Sequence, residues 1–330
     1  METLSRFVAT VRLACTPSSK AWLAAFVLAV LLVVGYGASF APPRDFPSGS
    51  TLRVVRGASV PEIADDLSTS HIIAHPLLLR AVLRATGASG SVQPGVYLFA
   101  KPENLFVVAY RLVAGAYGLP PVRLTFIEGV TVREAGAQIA AAFADVSANE
   151  FVAKAGLQEG YLFPDTYFFQ PSADTDIIIE TMHSNFEAKI APLSDNVRAS
   201  GHSLSDIVIM ASLIEKEARS TEARRMVAGI LWNRLNRGMP LQVDAVFGYI
   251  FNRDTYSPSY ADLKVDSPYN TYTHKGLPPS PICNPGLDAL QAALNPAQTS
   301  YLYYLTGKDN QMHYAKTYAE HQTNRQKYLR

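Results

Sequence analysis

The sequence predicts an α+β fold, with a single N-terminal transmembrane helix, a small α+β domain, then a larger α+β domain. Three observations carry this expectation. An uncharged apolar run occupies residues 21–43. A strand, a glycine turn and a capped amphipathic helix then follow one another twice, beginning at Leu52 and again at Val122. From about Pro171 helical periodicity dominates, interrupted by long Pro- and Tyr-rich loops and one further short strand. A chain of 330 residues with 48% hydrophobic content holds two modest cores and is not a disordered protein.

The apolar run is read as a transmembrane helix over residues 21–41, because roughly 20 apolar residues reach across a bilayer. Trp22 and Tyr36 stand near its ends, where aromatic side chains favour the membrane interface. A cleaved signal peptide has a shorter leader and a shorter apolar region, and here Pro42 follows the one small-x-small site, Ser39-Phe40-Ala41. Residues 1–20 carry Arg6, Arg12 and Lys20 against Glu2, so this segment is expected in the cytoplasm and everything after Ala41 outside it. Residues 42–51 are a Pro-rich linker. The remainder is close to neutral, with no basic field for nucleic acid. Cys15 and Cys283 fall on opposite sides of the expected membrane, so neither is structural. No Cys/His cluster has zinc spacing and no Gly-rich phosphate loop appears, so neither metal nor cofactor is expected.

The two strand–turn–helix units echo each other. Strand 52–55 turns at Gly57, and Ser59 with Glu62 forms a capping box; strand 122–127 turns at Gly129, and Thr131 pairs with Glu134 in the same way. Gly95–Phe99 and Gly160–Phe163 are expected to be matching later strands. The unit from Leu52 to Phe99 resembles a LysM module, a small strand–helix–helix–strand fold that binds N-acetylglucosamine-containing glycans. On that resemblance residues 52–170 form a glycan-binding region and residues 171–330 a second domain.

In the second domain the pattern predicts a helix over 175–190, a break at Ala191-Pro192, a helix capped by Ser203 or Ser205, and another opened by Ser220 or Thr221 and closed by Gly238. Residues 239–249 and 267–286 read as loops. Their Tyr, Asn and Thr side chains suit stacking on and hydrogen bonding to sugar rings, while ordinary turn composition explains their Gly and Pro equally well. A helix from Leu287, a strand over 301–305 and a helix near 318–329 close the chain.

On the first of these capped helices, ahead of both loops, Glu217 stands out. At about 100° per residue, the large apolar side chains of residues 206–218 sum to a direction about 20° from Glu217 and about 140° from Glu215, so the two are not a catalytic pair. A carboxyl among apolar groups loses solvation of its charged form, its pKa rises, and it keeps a proton for donation to a leaving group. The alternative is a helix-end glutamate that reaches water or pairs with Arg224 or Arg225.

The segments 161–167 (YLFPDTY), 210–217 (MASLIEKE), 233–235 (NRL), 241–244 (LQVD), 269–272 (YNTY), 276–279 (GLPP) and 284–286 (NPG), in this order, resemble the YceG-like family of membrane-anchored endolytic murein transglycosylases. The resemblance implies a periplasmic or otherwise extracytoplasmic enzyme on the cytoplasmic membrane that cuts nascent peptidoglycan strands to 1,6-anhydro-N-acetylmuramoyl ends and so terminates glycan elongation. It implies Glu217 as the catalytic acid. It also gives Gln242, Asp244, Tyr269, Asn270, Thr271 and Tyr272 as substrate-binding candidates, with penicillin-binding proteins and other wall-synthesis proteins as partners. The chain departs from the family pattern at Val243, where Ser or Thr is usual, in the run 245–249, at Ser280, where Gly is common, and at Cys283, where Ala is common. Two other readings stand beside this one: a membrane-anchored glycan-binding scaffold without turnover, and a hydrolase in which Asp244 or Glu215 activates water.

Overall fold

The computed structural model describes residues 19–253 and 257–329. The expected cytoplasmic segment, apart from Ser19 and Lys20, lies outside the described residues. Helix α1 (Ser19–Phe40) presents exposed apolar side chains, among them Trp22, Phe26, Leu28, Leu31 and Val34. Among the described residues, no helix is long and apolar enough to cross a membrane.

The chain divides into two compact units. The first runs to Pro120 and takes back Gln170–Ser172; the second comprises Pro121–Phe169 and Ala173 onward. The first unit holds β1 (Ser50–Val54), α2 (Val60–Thr69), α3 (Pro76–Ala85), β2 (Gly95–Phe99) and α4 (Leu105–Ala114). β1 and β2 pair antiparallel with Leu52 opposite Tyr97, giving a βααβ arrangement closed by α4. Its core gathers Ile63, Leu67, Leu79, Leu83, Tyr97, Phe99 and Leu112. Helix α2 starts as the sequence predicts: Ser59 and Glu62 form both halves of a capping box, with a proline in the first turn.

The second unit opens with the same arrangement: β3 (Val122–Thr125), α5 (Val132–Ala142), α6 (Ala148–Ala155) and β4 (Thr166–Phe169), with β3 and β4 antiparallel. Thr131 and Glu134 complete the second capping box. Gly57 and Gly129 take φ of 84° and 82°, a left-handed turn that a side chain would strain, so the chain approaches α2 and α5 through the same conformation. One element departs from expectation. Residues 160–163 are a turn and not a strand, because the N–H groups of Gly160 and Leu162 both donate to the Asn284 side chain (2.9 and 3.0 Å); the strand that answers Gly95–Phe99 is Thr166–Phe169.

This second βααβ unit belongs with the helices that follow it. Its core residues Phe126, Val132, Ile139, Phe151 and Leu162 are continuous with Ile178 and Met182 of α7 (Thr175–Ile190). The division into compact units accordingly lies at Pro120, while the change of composition lies near residue 170. After α7 come α8 (Ser194–Ser200), α9 (Leu204–Glu217), α10 (Thr221–Asn236), α11 (Ala245–Phe251), α12 (Leu287–Leu294), the antiparallel hairpin β5 (Tyr303–Thr306) and β6 (Met312–Ala315), and α13 (Tyr318–Tyr328). α11 occupies residues expected as loop. β6 has no counterpart in the sequence pattern either, since its four residues carry little apolar alternation. α9 is the centre of this unit: Ile207 to Ile214 are all buried, against α10, α11 and α12. Its apolar surface is thus nearly continuous around the helix, wider than the stripe the periodicity suggests.

Candidate active site

α9 starts at Ser203, whose hydroxyl caps Asp206, and ends on Glu217; Ala218 is already extended at φ −141°. The Glu217 side chain therefore leaves the last turn of a buried helix with the chain turning away behind it. Three distant segments meet it. The Tyr304 hydroxyl of β5 donates to Oε2 at 3.0 Å, and the N–H of Ala245, at the start of α11, donates to Oε1 at 3.4 Å. Asp244 precedes that N–H and accepts a short hydrogen bond from the Tyr272 hydroxyl. Arg234 of α10 holds the framework together. Its Nε donates to the Leu302 carbonyl and its Nη1 to the Leu241 carbonyl, both at 2.6 Å, so one guanidinium fixes the approaches of β5 and of the 241–244 segment.

Burial pushes the Glu217 carboxyl up to about 7, and the Asp244 charge adds to that, while the bonds from Tyr304 and Ala245 pull the other way. The result is a carboxyl poised to give up and recover a proton near neutrality. Burial and the neighbouring Glu217 charge raise the Tyr304 hydroxyl well above its ordinary range, so it stays a neutral donor.

The arginine that could have neutralised Glu217 goes elsewhere. Arg224 pairs with Glu215 and, at 2.7 Å, with Asp288, and Glu215 also accepts from the Gly286 N–H at 3.0 Å. Glu215 is thus a buried structural anion that ties α9 to α10 and to the start of α12. It has no freedom to activate water.

Glu217 and Asp244 line a cavity of about 820 Å³ together with Lys216, Tyr249, Arg133 and Glu159. Of the six substrate-binding candidates, Asp244 alone is in this lining; Tyr272 reaches it indirectly by holding Asp244. Asn270 and Thr271 are buried and bonded within the protein. Asn270 is fully buried and donates to the carbonyls of Leu263 and Val265, and buried Thr271 accepts from the Val243 N–H at 2.9 Å. Tyr269 packs on Tyr249 and shares a hydrogen bond with Ser280. Gln242 is exposed, at φ 53°, with its N–H on the Thr271 carbonyl. Of the departures from the family pattern, Val243 and Cys283 are buried and do not line the cavity, whereas the run 245–249 contributes Ala245, Gly248 and Tyr249 to its lining.

Sequence reasoning missed Tyr304, Glu159 and the work of Asn284. Glu159 is 5% exposed, and burial raises its carboxyl to about 7. It accepts twice from the Val132 N–H and once from the Asn284 amide at 3.1 Å. Asn284 is fully buried and donates to the Val130 carbonyl as well, so it stitches residues 130, 159, 160 and 162 into one network. No local pattern around Tyr304 or Glu159 signals these roles.

Comparison with known proteins follows the same lines. Residues 52–327 match the model of the YceG-like family. The chain is 32% identical over 335 residues to a protein of Bacillus subtilis (strain 168) named endolytic murein transglycosylase, covering 90% of this chain and 91% of that one. A protein of the same name from Streptococcus pneumoniae serotype 2 is 33% identical over 172 residues, which is 50% of this chain and 31% of that longer one. Among solved structures, a yceG-like protein of Listeria monocytogenes superposes with a TM-score of 0.56 at 26% identity, over 84% of this chain and 99% of that chain.

Proposed function

We propose that Glu217 alone carries the chemistry of this chain, which belongs to the YceG-like family and is an endolytic murein transglycosylase. The observation that carries the proposal is a carboxyl with no ion-pair partner among the described residues, raised to about 7 by burial at the edge of a cavity and held there by the Tyr304 hydroxyl and the Ala245 N–H. Glu159, raised likewise, has its oxygens taken up by the Val132 N–H and the Asn284 amide. Glycoside hydrolysis usually needs two carboxyl groups, because a water must be activated. Transglycosylation of this kind does not. Glu217 gives its proton to the glycosidic oxygen as the bond from the N-acetylmuramoyl C1 to that oxygen breaks. As carboxylate it then takes the proton of the same sugar's C6 hydroxyl, whose oxygen closes on C1. A 1,6-anhydro end forms, the acid is restored, and no water is consumed.

Glu217→Gln keeps size and hydrogen bonding but can neither donate nor reclaim the proton. It is expected to lower anhydro-product formation by about two orders of magnitude or more with an unchanged thermal melt. Near-parental turnover in that variant would overturn the single-acid reading. The hydrolase reading retains Asp244 as its base, and product mass separates the two: hydrolysis adds one water to each cut and anhydro formation adds none.

The cellular setting is part of the proposal. The exposed apolar surface of α1 and the basic residues before it support a single-pass anchor in the cytoplasmic membrane with the working units outside. The strand–helix–helix–strand order and antiparallel pairing of the first unit support a LysM-like glycan binder. Such an enzyme, tethered by a short linker, cuts nascent strands internally near the membrane, where penicillin-binding proteins and other wall-synthesis proteins are its natural partners. A reporter fused after Arg330 is expected to be active only in the extracytoplasmic orientation, and cytoplasmic activity would sink this placement.

A further inference from the structure

One wall of the cavity comes from the second βααβ unit. Thr131, Arg133 and Glu134, from the turn after β3 and the first turn of α5, stand beside Ala137 one turn further on; Val152 of α6 and the following Gly156 and Glu159 complete the wall. On α5 the positions 133, 134 and 137 share one face. Two connections at the same end of one repeat, strand to helix and helix to strand, thus open into the space that holds Glu217.

We propose that this wall is a saccharide subsite, which holds N-acetylhexosamine residues of the glycan strand beside the bond that Glu217 cuts. The inference rests on the functional reading above. A cavity of about 820 Å³ gives more room than the reacting ring fills and stands toward the upper end of the ~300–1,000 Å³ seen for ligand sites. Its chemistry suits a sugar. Ala137 and Val152 supply apolar surface for the C–H face of a pyranose, and Arg133 and Glu134 flank it with planar polar groups for hydroxyl and acetamido groups. Glu134 spends Oε2 on the Thr131 N–H and hydroxyl, which fixes the carboxylate and leaves Oε1 outside the capping box. Arg133 is exposed and forms no salt bridge among the described residues. Beneath them the Val132 N–H is held by Glu159, and Glu159 by Asn284, so the wall is braced rather than mobile.

The test uses the full chain and one blocking substitution. Ala137→Arg plants a long side chain on the wall from an exposed helical position, and Gln138→Arg, exposed on the same helix but off the cavity, is its control. On uncrosslinked glycan strands, Ala137→Arg is expected to raise KM about tenfold or more with kcat within about threefold, while Gln138→Arg stays within about twofold on both. In the Glu217→Gln background, calorimetry with chitohexaose is expected to lose a binding site, or about tenfold in affinity, on adding Ala137→Arg and to lose neither on adding Gln138→Arg. Arg133→Ala, which removes a group instead of adding one, is expected to raise KM in the same direction, with a thermal melt reporting folding. Unchanged KM and unchanged chitohexaose binding in folded Ala137→Arg would overturn the subsite and leave the role of Glu217 intact. Absence of anhydro product from the parent chain would strike the functional reading, and the calorimetric comparison would still decide the subsite.

Discussion

The two βααβ units of this chain start from nearly the same local instructions and reach different ends. Each has a left-handed glycine, a Ser or Thr cap answered by a Glu three residues on, two helices and an antiparallel strand pair. The first closes on itself. Its buried Arg111 is consumed inside the unit by Glu103 at 2.8 Å and by the carbonyls of Leu98 and Ala116. The second leaves its interior open to later parts of the chain: Asn284 enters from 124 residues beyond Gly160, and α7 extends its core. A local pattern is thus enough to make the unit. Whether it becomes a separate module or one wall of a catalytic cavity depends on which buried polar groups it leaves for distant partners.

The largest expected effect breaks the comparison at those partners. Asn284→Ala strips the buried N–H groups of Gly160 and Leu162 of their acceptor and the Val130 carbonyl of a donor, so it is expected to cost about 3–5 kcal/mol and abolish turnover at growth temperature. Arg111→Ala leaves the partly buried Glu103 without its counter-ion and the Leu98 and Ala116 carbonyls without their donor, and is expected to cost about 2–4 kcal/mol in the first unit. Turnover measured below that unit's melting transition should nevertheless stay within about threefold, because the catalytic residues lie in the other unit. Thermal melts and turnover of the two variants, run together, check the contrast; equal loss of activity would mean that the units are not separable in function.

A smaller effect concerns the proton of Glu217. The group must be protonated to act, and its carboxyl stands at about 7 instead of the ordinary 4.5, so activity is expected to fall as pH rises through about 7. Tyr304→Phe deletes a hydrogen bond that stabilises the carboxylate and should move that fall upward by about half to one pH unit. Asp244 and Tyr272 act on the same group, Arg234 faces the Tyr304 hydroxyl and Lys216 lines the same cavity, and all four are unchanged in the variant. The pH profile of kcat/KM reads the shift; a superimposable profile would show that Tyr304 only fills space.

The smallest effect sharpens the likeness. Ser59→Ala and Thr131→Ala each remove a cap and are expected to cost about 1 kcal/mol in stability. Local cost should be equal, yet only Thr131→Ala should change KM for glycan, since Thr131 lines the cavity. A change of KM in both variants would argue that the first unit also presents sugar to the acid.

The sequence by itself determined the helix starts at Ser59 and Thr131, narrowed two others to Ser203 or Ser205 and to Ser220 or Thr221, and set the stop at Gly238, the repetition of the βααβ pattern in outline, and Glu217 as the carboxyl set apart from Glu215; the structure chose Ser203 and Ser220. These are written within a few residues, in caps and in 3.6-residue periodicity. Only the tertiary structure decided that residues 160–163 turn while 166–169 pair, that residues 245–251 are helical, that Asn270 and Thr271 face inward, and that Glu215 takes Arg224, which leaves Glu217 with no ion pair among the described residues. The site shows the same division. Tyr304 meets Glu217 from 87 residues away and Asn284 meets Glu159 from 125. Neither encounter leaves a local trace, because a buried donor is satisfied by whichever acceptor the folded chain brings to it, and sequence separation carries no information about that meeting.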